Sequence, residues 1–374
     1  MPETPLQQAQ TSAAQHKKQP KKIWEKFLQP HVPISEKIFF VQHLGVMLKA
    51  GVSLSRALHT LEAQTTHTSF KKVLRSVAAA VESGVPLSDA LVPYHSVFSE
   101  ILINMLKAGE AGGKLEEVLN QLYIQMKKDH EIVSKVRGAM IYPSVIVCAM
   151  LGIGVFMFIF VIPNLVSIFE GFDAQLPLPT RVLIFVSNSI QHYGLYILLG
   201  TLLLIASSIQ VLRTEPGKNI VHKVLLKTPI LKGIIKKINL ARFSRTFSSL
   251  LKTDISITRT FEITARVVSN RPYRLAISQA TAQIKKGISI AEVLKANPAL
   301  FPPLITQMVA VGEETGELDT ILEELAQFYE EEVNQLMNDL PAIIEPVLIL
   351  ILGSAIGGVA VAIMLPMYTL TQSI

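Results

Sequence analysis

The sequence predicts an all-α membrane protein with two homologous cytoplasmic helical bundles and three transmembrane helices. Three observations carry this. Only 17% of the 374 residues are charged and mean hydropathy is +0.40, too apolar for an ordinary soluble protein. The excess lies in uncharged stretches at 144–162, 195–211 and 346–366, each about the length a helix needs to cross a bilayer. The third is a repeat: shifted by 203 residues, the chain falls on itself in one register. Phe40, Leu48, Lys49, Ser53 and Arg56 meet Phe243, Leu251, Lys252, Ser256 and Arg259. Without a gap, Gly84 meets Gly287, Phe98 meets Phe301, and Pro143 and Pro163 meet Pro346 and Pro366.

Taken in order, residues 1–34 read as a polar, disordered tail with no apolar signal-peptide core. Within it KKIWEKFL (21–28) suits a basic amphipathic helix on the membrane surface, or one packed on its own domain. A first bundle is expected over 35–138. Ile38, Val41, Leu44 (or His43) and Leu48 share one helical face. Gly51 suits a C-terminal cap and Ser53 the N-cap of the next helix. Segments 68–83 and 98–108 continue the helical pattern, punctuated by Gly84-Val85-Pro86. No run alternates at period two long enough to form a sheet.

The turn LKAGEAGGKLEEVL (106–119) returns as VAVGEETGELDTIL (309–322). Neither copy is a phosphate loop: Ala108 stands where a P-loop needs its first glycine, Leu115 where it needs a hydroxyl, and the second copy has no lysine. The expected geometry is a helix ending near Lys107, a left-handed Gly109, and reversal at Gly112 and Gly113. A new helix then starts at Lys114 with Glu116 and Glu117 near its positive end. Gly312, Thr315, Gly316 and Asp319 repeat this design. Glu110 and Glu313 either bond to nearby backbone N–H groups or contact a partner or ion.

The helix from Lys114 reads as continuous into a first span at 139–163, with Pro143 tolerated as a kink. Such a helix would couple a bundle rigidly to the bilayer. An extracytoplasmic loop is expected at 164–194, a second span at 195–212 and a basic linker at 213–237. Then follow a second bundle at 238–343, a third span at 344–366 with Pro346 at its start, and an extracytoplasmic tail at 367–374. From Arg213 to Arg245 there are nine Lys or Arg against one acid, Glu215, as expected of a cytoplasmic flank. The repeat agrees, because two like bundles share a compartment only if an even number of spans separates them. The nine acids between Glu317 and Glu345 run against this pattern, but acids contribute little to orientation.

The net charge of +6 is concentrated in that linker, so it points to a membrane flank and not to nucleic acid. The single cysteine, Cys148, lies in the first span, and the nine histidines are scattered without a metal or nucleophile motif. No catalytic, cofactor-binding or metal-binding residue is expected, and no cofactor. A transporter would carry ionisable groups within its spans, and only Glu345, beside Pro346, comes close. Gly353 and Gly357 form a GxxxG pattern suited to oligomerisation or to packing on the other spans. Lys127 and Lys128 align with Glu330 and Glu331. These stems are expected to face one another by charge complementarity, within one chain or between protomers.

The pattern Leu48-Lys49-Ala50-Gly51-Val52, Gly109-Glu110-x-x-Gly113-x-Leu115 and Tyr142-Pro143 resembles the type II secretion protein F family, whose relatives include the inner-membrane platform proteins of type IV pili. Gly312-Glu313-Glu314-Thr315-Gly316-x-Leu318 and Glu345-Pro346 resemble its second-repeat motifs. Phe169-x-Gly171-Phe172-x-x-x-Leu176-Pro177 resembles its outer loop. The resemblance covers about 35–370 and implies a non-enzymatic platform in the bacterial cytoplasmic (inner) membrane, N-terminus cytoplasmic and C-terminus outside. It implies a homo-oligomer set in lipid that couples a cytoplasmic assembly ATPase to pilin polymerisation beside other inner-membrane assembly proteins. A pseudopilin-assembling platform of a type II secretion system is the alternative. The N-terminal region before Ser35 is shorter than in many relatives, which puts in question any ATPase contact made there.

Overall fold

The computed structural model describes residues 32–164, 177–214, 217, 229–268 and 270–372. The expected tail with KKIWEKFL, the motif at 169–176 and most of the basic linker lie outside the described residues. Among those described, every regular element is helical. The chain divides into two compact units, Met1–Asn120 and Gln121–Ile374.

The first unit holds α1 (Ile34–Lys49), α2 (Leu54–Gln64), α3 (Thr68–Glu82), α4 (Leu87–Leu91), α5 (Glu100–Gly112) and the start of α6 (Leu115–Phe156). Its core is built around Phe40, Phe70 and Phe98, whose ring centroids lie 5.6–6.0 Å apart. Leu44, Leu58, Leu61, Leu74 and Val77 are buried with them. Gly45 of α1 is in close approach to α6, since a Cβ there would stand 3.3 Å from the Leu119 Cβ.

In the second unit the rest of α6 is joined by α7 (Leu178–Arg213), α8 (Pro229–Leu251), α9 (Ile257–Val267), α10 (Arg271–Ile284), α11 (Ile290–Lys295), α12 (Pro303–Thr315) and α13 (Leu318–Gln372). Its aromatic core repeats the first at the same offset. Phe243, Tyr273 and Phe301 replace Phe40, Phe70 and Phe98, and the Tyr273 hydroxyl donates to the Leu300 carbonyl at 2.9 Å. Burial pushes that hydroxyl's pKa well up, which keeps it a donor. One surface clasp repeats with its polarity reversed. Glu82 of α3 meets His59 of α2 at 2.6 Å, and Glu262 of α9 meets Lys285, the residue that caps the end of α10, at 3.0 Å. The hydrogen bond from His59 holds Glu82 below the usual carboxylate range, and that from Lys285 does the same for Glu262.

Two boundaries differ from the sequence expectation. The stem of α6 from Gln121 belongs to the second unit, although the first bundle was expected to run to 138. Ile132 is buried in the second unit's core, with Val136 and Ala139 against it. The second apolar helix begins at Leu178, so much of the segment expected as a loop at 164–194 is helical. Its first turns were obscured by Ser187, Asn188, Ser189, Gln191 and His192. Packing accounts for part of that polarity: Thr180 donates to the Ala362 carbonyl of α13 at 2.5 Å, and Ser187 to the Phe158 carbonyl at 2.8 Å. Phe158 lies in a π-helical turn, Met157–Val161, that continues α6, and such a turn leaves carbonyl groups open to outside donors.

Among the described residues, three helical segments are long and apolar enough to cross a membrane: Leu115–Asn164, Leu178–Ser208 and Leu318–Leu365. Pro143 lies inside the first and Pro346 inside the third, and neither breaks its helix.

Candidate functional site

The recurring Gly-Glu-x-x-Gly turn ends α5 and α12. Both helices continue past the first glycine of the motif, to Gly112 and to Thr315. Gly109 is therefore not the left-handed residue, nor does the helix stop near Lys107. The left-handed positions are Gly113 (φ 66°) and Gly316 (φ 79°), where the Lys114 N–H closes on the Gly109 carbonyl at 2.8 Å. Replacing Gly316 by Ala should cost ~1–2 kcal/mol, the penalty for a Cβ in that region. Thermal unfolding in detergent checks this, and an unchanged midpoint contradicts it.

Gly109 and Gly312 are buried inside their helices and serve close packing. A Cβ on Gly312 would lie 3.0 Å from the Leu318 Cα and 3.3 Å from the Ile321 Cβ of α13, so backbone would have to move. On Gly109 it would lie 2.7 Å from the Val118 Cγ2. Gly312→Ala should lose ~1–3 kcal/mol by overpacking, more than the ~1 kcal/mol that alanine gains in a helix. Gly112→Ala, which meets open space, should be neutral or slightly stabilising in the same assay. Equal effects at the two sites would show that helix propensity, not close approach, governs both.

The glutamates act at a distance in sequence. Glu110 accepts from the Leu87 N–H at 2.5 Å and the Ser88 N–H at 3.0 Å. Glu313 accepts from the Ile290 N–H at 2.5 Å and the Ala291 N–H at 2.8 Å. Each carboxylate caps the short helix that precedes its own, satisfying N–H groups that have no partner within that helix. Of the two roles open in the sequence, backbone bonding is the one this geometry displays, although the N–H groups lie 22 and 23 residues back.

A second polar arrangement lies where α6, α8 and α13 meet in the second unit. Arg245 of α8 forms a forked pair with Glu330 of α13, Nε to Oε1 at 2.8 Å and a terminal nitrogen to Oε2 at 3.0 Å. Both side chains are buried, at 6% and 8% exposure. Arg245 also reaches Glu323 at 3.4 Å, and Lys252 and Lys237 pair with Glu323 and Glu332. From α6, Gln125 donates to Thr246 at 3.2 Å and accepts from Ser249 at 3.2 Å, while Asp129 faces Arg242 at 3.4 Å.

Of the stem charges singled out in the sequence, the structure brings together Lys128 and Glu330, at 3.6 Å within one chain. Lys127 instead lies 5.7 Å from the Tyr123 ring centre, and Glu331 accepts from Asn334. Sequence reasoning missed Gln125, Asp129, Arg242, Arg245 and Glu323. The available signal was the difference between repeats, since Thr246, Ser248 and Ser249 replace His43, Gly45 and Val46.

In the apolar helices, a Cβ on Gly353 or Gly357 would meet nothing within 4 Å, so among the described residues no helix packs closely there. Pro143 is buried, and Pro346 and Glu345 are exposed. Among the described residues no group of three His, Cys, Asp or Glu is placed to hold a metal.

The comparisons with known proteins follow the repeat. The pattern of the family described as Type II secretion system (T2SS), protein F matches residues 40–163 and again 243–366, the interval found within the chain itself. The chain is 33% identical over 337 residues to type IV pilus assembly protein PilC of Myxococcus xanthus, covering 90% of this chain and 81% of that protein. It is 34% identical to PilC of Thermus thermophilus, covering 88% and 81%. With type II secretion system protein F of Aeromonas hydrophila it shares 31% identity, covering 91% and 87%. The duplicated bundle, its paired Gly-Glu-x-x-Gly turns and its three apolar helices are thus those of the type II secretion protein F family, to which this chain belongs.

Proposed function

We propose that this chain is the inner-membrane platform of a type IV pilus assembly machine. The observation that carries the reading is the double match to the family, together with relatives of 33–34% identity named as type IV pilus assembly proteins. The same scaffold as the platform of a type II secretion system is the second reading, favoured by relatives of 28–31% identity that carry that name.

In this role the chain performs no bond chemistry. Energy is supplied by a cytoplasmic assembly ATPase, and the product is a filament of pilin subunits drawn from the bilayer. Both bundles lie in the cytoplasm, with the C-terminus outside. The side chains outside the apolar helices serve the integrity of the bundles, and their outer faces are left for partners.

Co-purification tests the coupling. The full chain in detergent should retain the assembly ATPase, and should not hydrolyse ATP alone. Orientation is read by labelling single cysteines, in a Cys148→Ser background, with a membrane-impermeant maleimide in intact cells. Tyr368→Cys should label from outside, and Val311→Cys only after lysis. Labelling of Val311→Cys in intact cells, or hydrolysis by the chain alone, would overturn the reading.

A further inference from the structure

The two repeats use the same helix faces unequally. In the second unit α8 is covered on two sides. Its own stem, α13, lies along one, and the stem of the preceding repeat, α6, lies along the other. The side that meets α6 presents Thr246, Ser249 and Arg242, with Thr246 fully buried and Ser249 at 3% exposure. The covering residues are Gln125, at 2% exposure, with Asp129 and Ile132.

The homologous side of α1 is open. The positions that match Arg242, Thr246 and Ser249 at the 203-residue offset are Phe39, His43 and Val46. Val46 is 59% exposed and Phe39 39%, with the Phe39 and His43 rings stacked at 3.8 Å. Among the described residues, which begin at Val32, no helix lies ahead of α1 to cover this side.

The matching side of α13 is open as well. Phe328 takes the place of Gln125 and is 46% exposed, and exposed Gln335 takes the place of buried Ile132. The change at the centre is concerted. Where the covered contact joins Gln125 to Thr246 and Ser249, the open pair would join Phe328 to His43 and Val46. The polar contact gives way to Phe328 on one side and to Val46 with the stacked Phe39 and His43 rings on the other. Aromatic and aliphatic surface is thus exposed on both open faces, while Gln335 in place of Ile132 changes in the opposite sense. The ion pair is not carried over: Glu332, in the place of Asp129, is bound to Lys237 of its own repeat.

We propose that α13 of one copy of this chain packs on α1 of a second copy as α6 packs on α8 within a copy, with Phe328 seated against His43 and Val46. The contact joins different faces on the two copies, so repeated head to tail it closes successive copies into a ring, and made twice between two copies it gives a two-fold pair. It covers apolar side chains that each copy otherwise leaves to water. The proposal does not depend on the pilus reading, since it concerns only copies of this chain.

Cross-linking in native membranes tests it, with the full chain and a Cys148→Ser background. Chains carrying Val46→Cys and chains carrying Phe328→Cys, each with its own tag, are co-expressed and treated with a short bifunctional maleimide. The expected result is a product bearing both tags, several-fold more abundant than from two Val46→Cys chains, two Phe328→Cys chains, or a Val92→Cys and Val311→Cys pair. Product mainly from like pairs, or none above the Val92 and Val311 control, would overturn the proposal. So would a double Val46→Cys, Phe328→Cys chain that links only within itself. As a second readout, Val46→Glu, at a site too exposed to threaten the fold, should lower the mass of the purified assembly at fixed concentration. An unchanged mass would count against the contact.

Discussion

Replacing Arg245 by Ala should destabilise the second unit by ~3–5 kcal/mol, because it leaves the buried Glu330 carboxylate without its forked partner. In thermal unfolding this is a fall of roughly 6–20 °C for a unit of this size. Lys128, at 3.6 Å from Glu330, remains, but it is 42% exposed and makes no forked contact. Glu330→Ala should be similarly damaging, since Arg245 would keep only the 3.4 Å approach to Glu323. The pair is not expected to be a large net source of stability, because burying both ions costs about as much as their attraction returns. An Arg245→Met, Glu330→Leu double substitution should therefore recover most of the loss. The four-protein cycle, wild type with two singles and the double, measures the coupling directly. Single substitutions within ~1 kcal/mol of wild type would mean that water reaches the pair.

The second large effect is expected at the capping glutamates. Glu110→Ala removes both acceptors from the Leu87 and Ser88 N–H groups, and Glu313→Ala does so for Ile290 and Ala291. Hydrogen bonds to a charged group are worth ~1.5–3 kcal/mol each, so a loss of ~2–4 kcal/mol per site is expected after water partly replaces the carboxylate. Pro86 precedes α4 and offers no side-chain cap, whereas Ser289 accepts from the Glu292 N–H before α11. Glu110→Ala should therefore be the more damaging of the two. Hydrogen exchange on the peptide containing Leu87 and Ser88 reads it locally: protection should fall there and stay unchanged at Ile290 and Ala291. Unaltered protection in Glu110→Ala would show that the carboxylate is not what holds α4.

Much of this architecture is legible in the sequence because duplication prints it twice. The common offset gave α5 and α12 the same length and placed Phe40 with Phe243 and Phe98 with Phe301. Three apolar stretches marked the membrane helices. Glycine was less informative, since it suits both a left-handed turn and a close helix contact. On sequence Gly109 suits the first; in the structure it serves the second, and the turn belongs to Gly113 four residues on. The start of α7 at Leu178 was hidden because its early polar residues lower the apolar signal, while Thr180 and Ser187 are satisfied by carbonyls far away in sequence.

The polar seam was hidden for a related reason. Gln125 and Thr246 are 121 residues apart, and Arg245 and Glu330 are 85 apart. No local period links such residues, and in sequence Arg242 and Arg245 look like the end of a basic cytoplasmic flank. The repeat also conceals them, because these positions differ between its two copies. Thr246 and Ser249, in the places of His43 and Val46, mark α8 as a helix that two stems cover.

An in-frame deletion, with surface filaments imaged and secreted proteins assayed in the same cultures, tests whether the chain is a platform for filament assembly. Loss of pili with secretion intact, restored by the wild-type chain, is the predicted result. Pili that persist while secretion fails would assign the chain to a secretion system instead. Survival of both in a cell with no second copy would contradict the assembly role altogether.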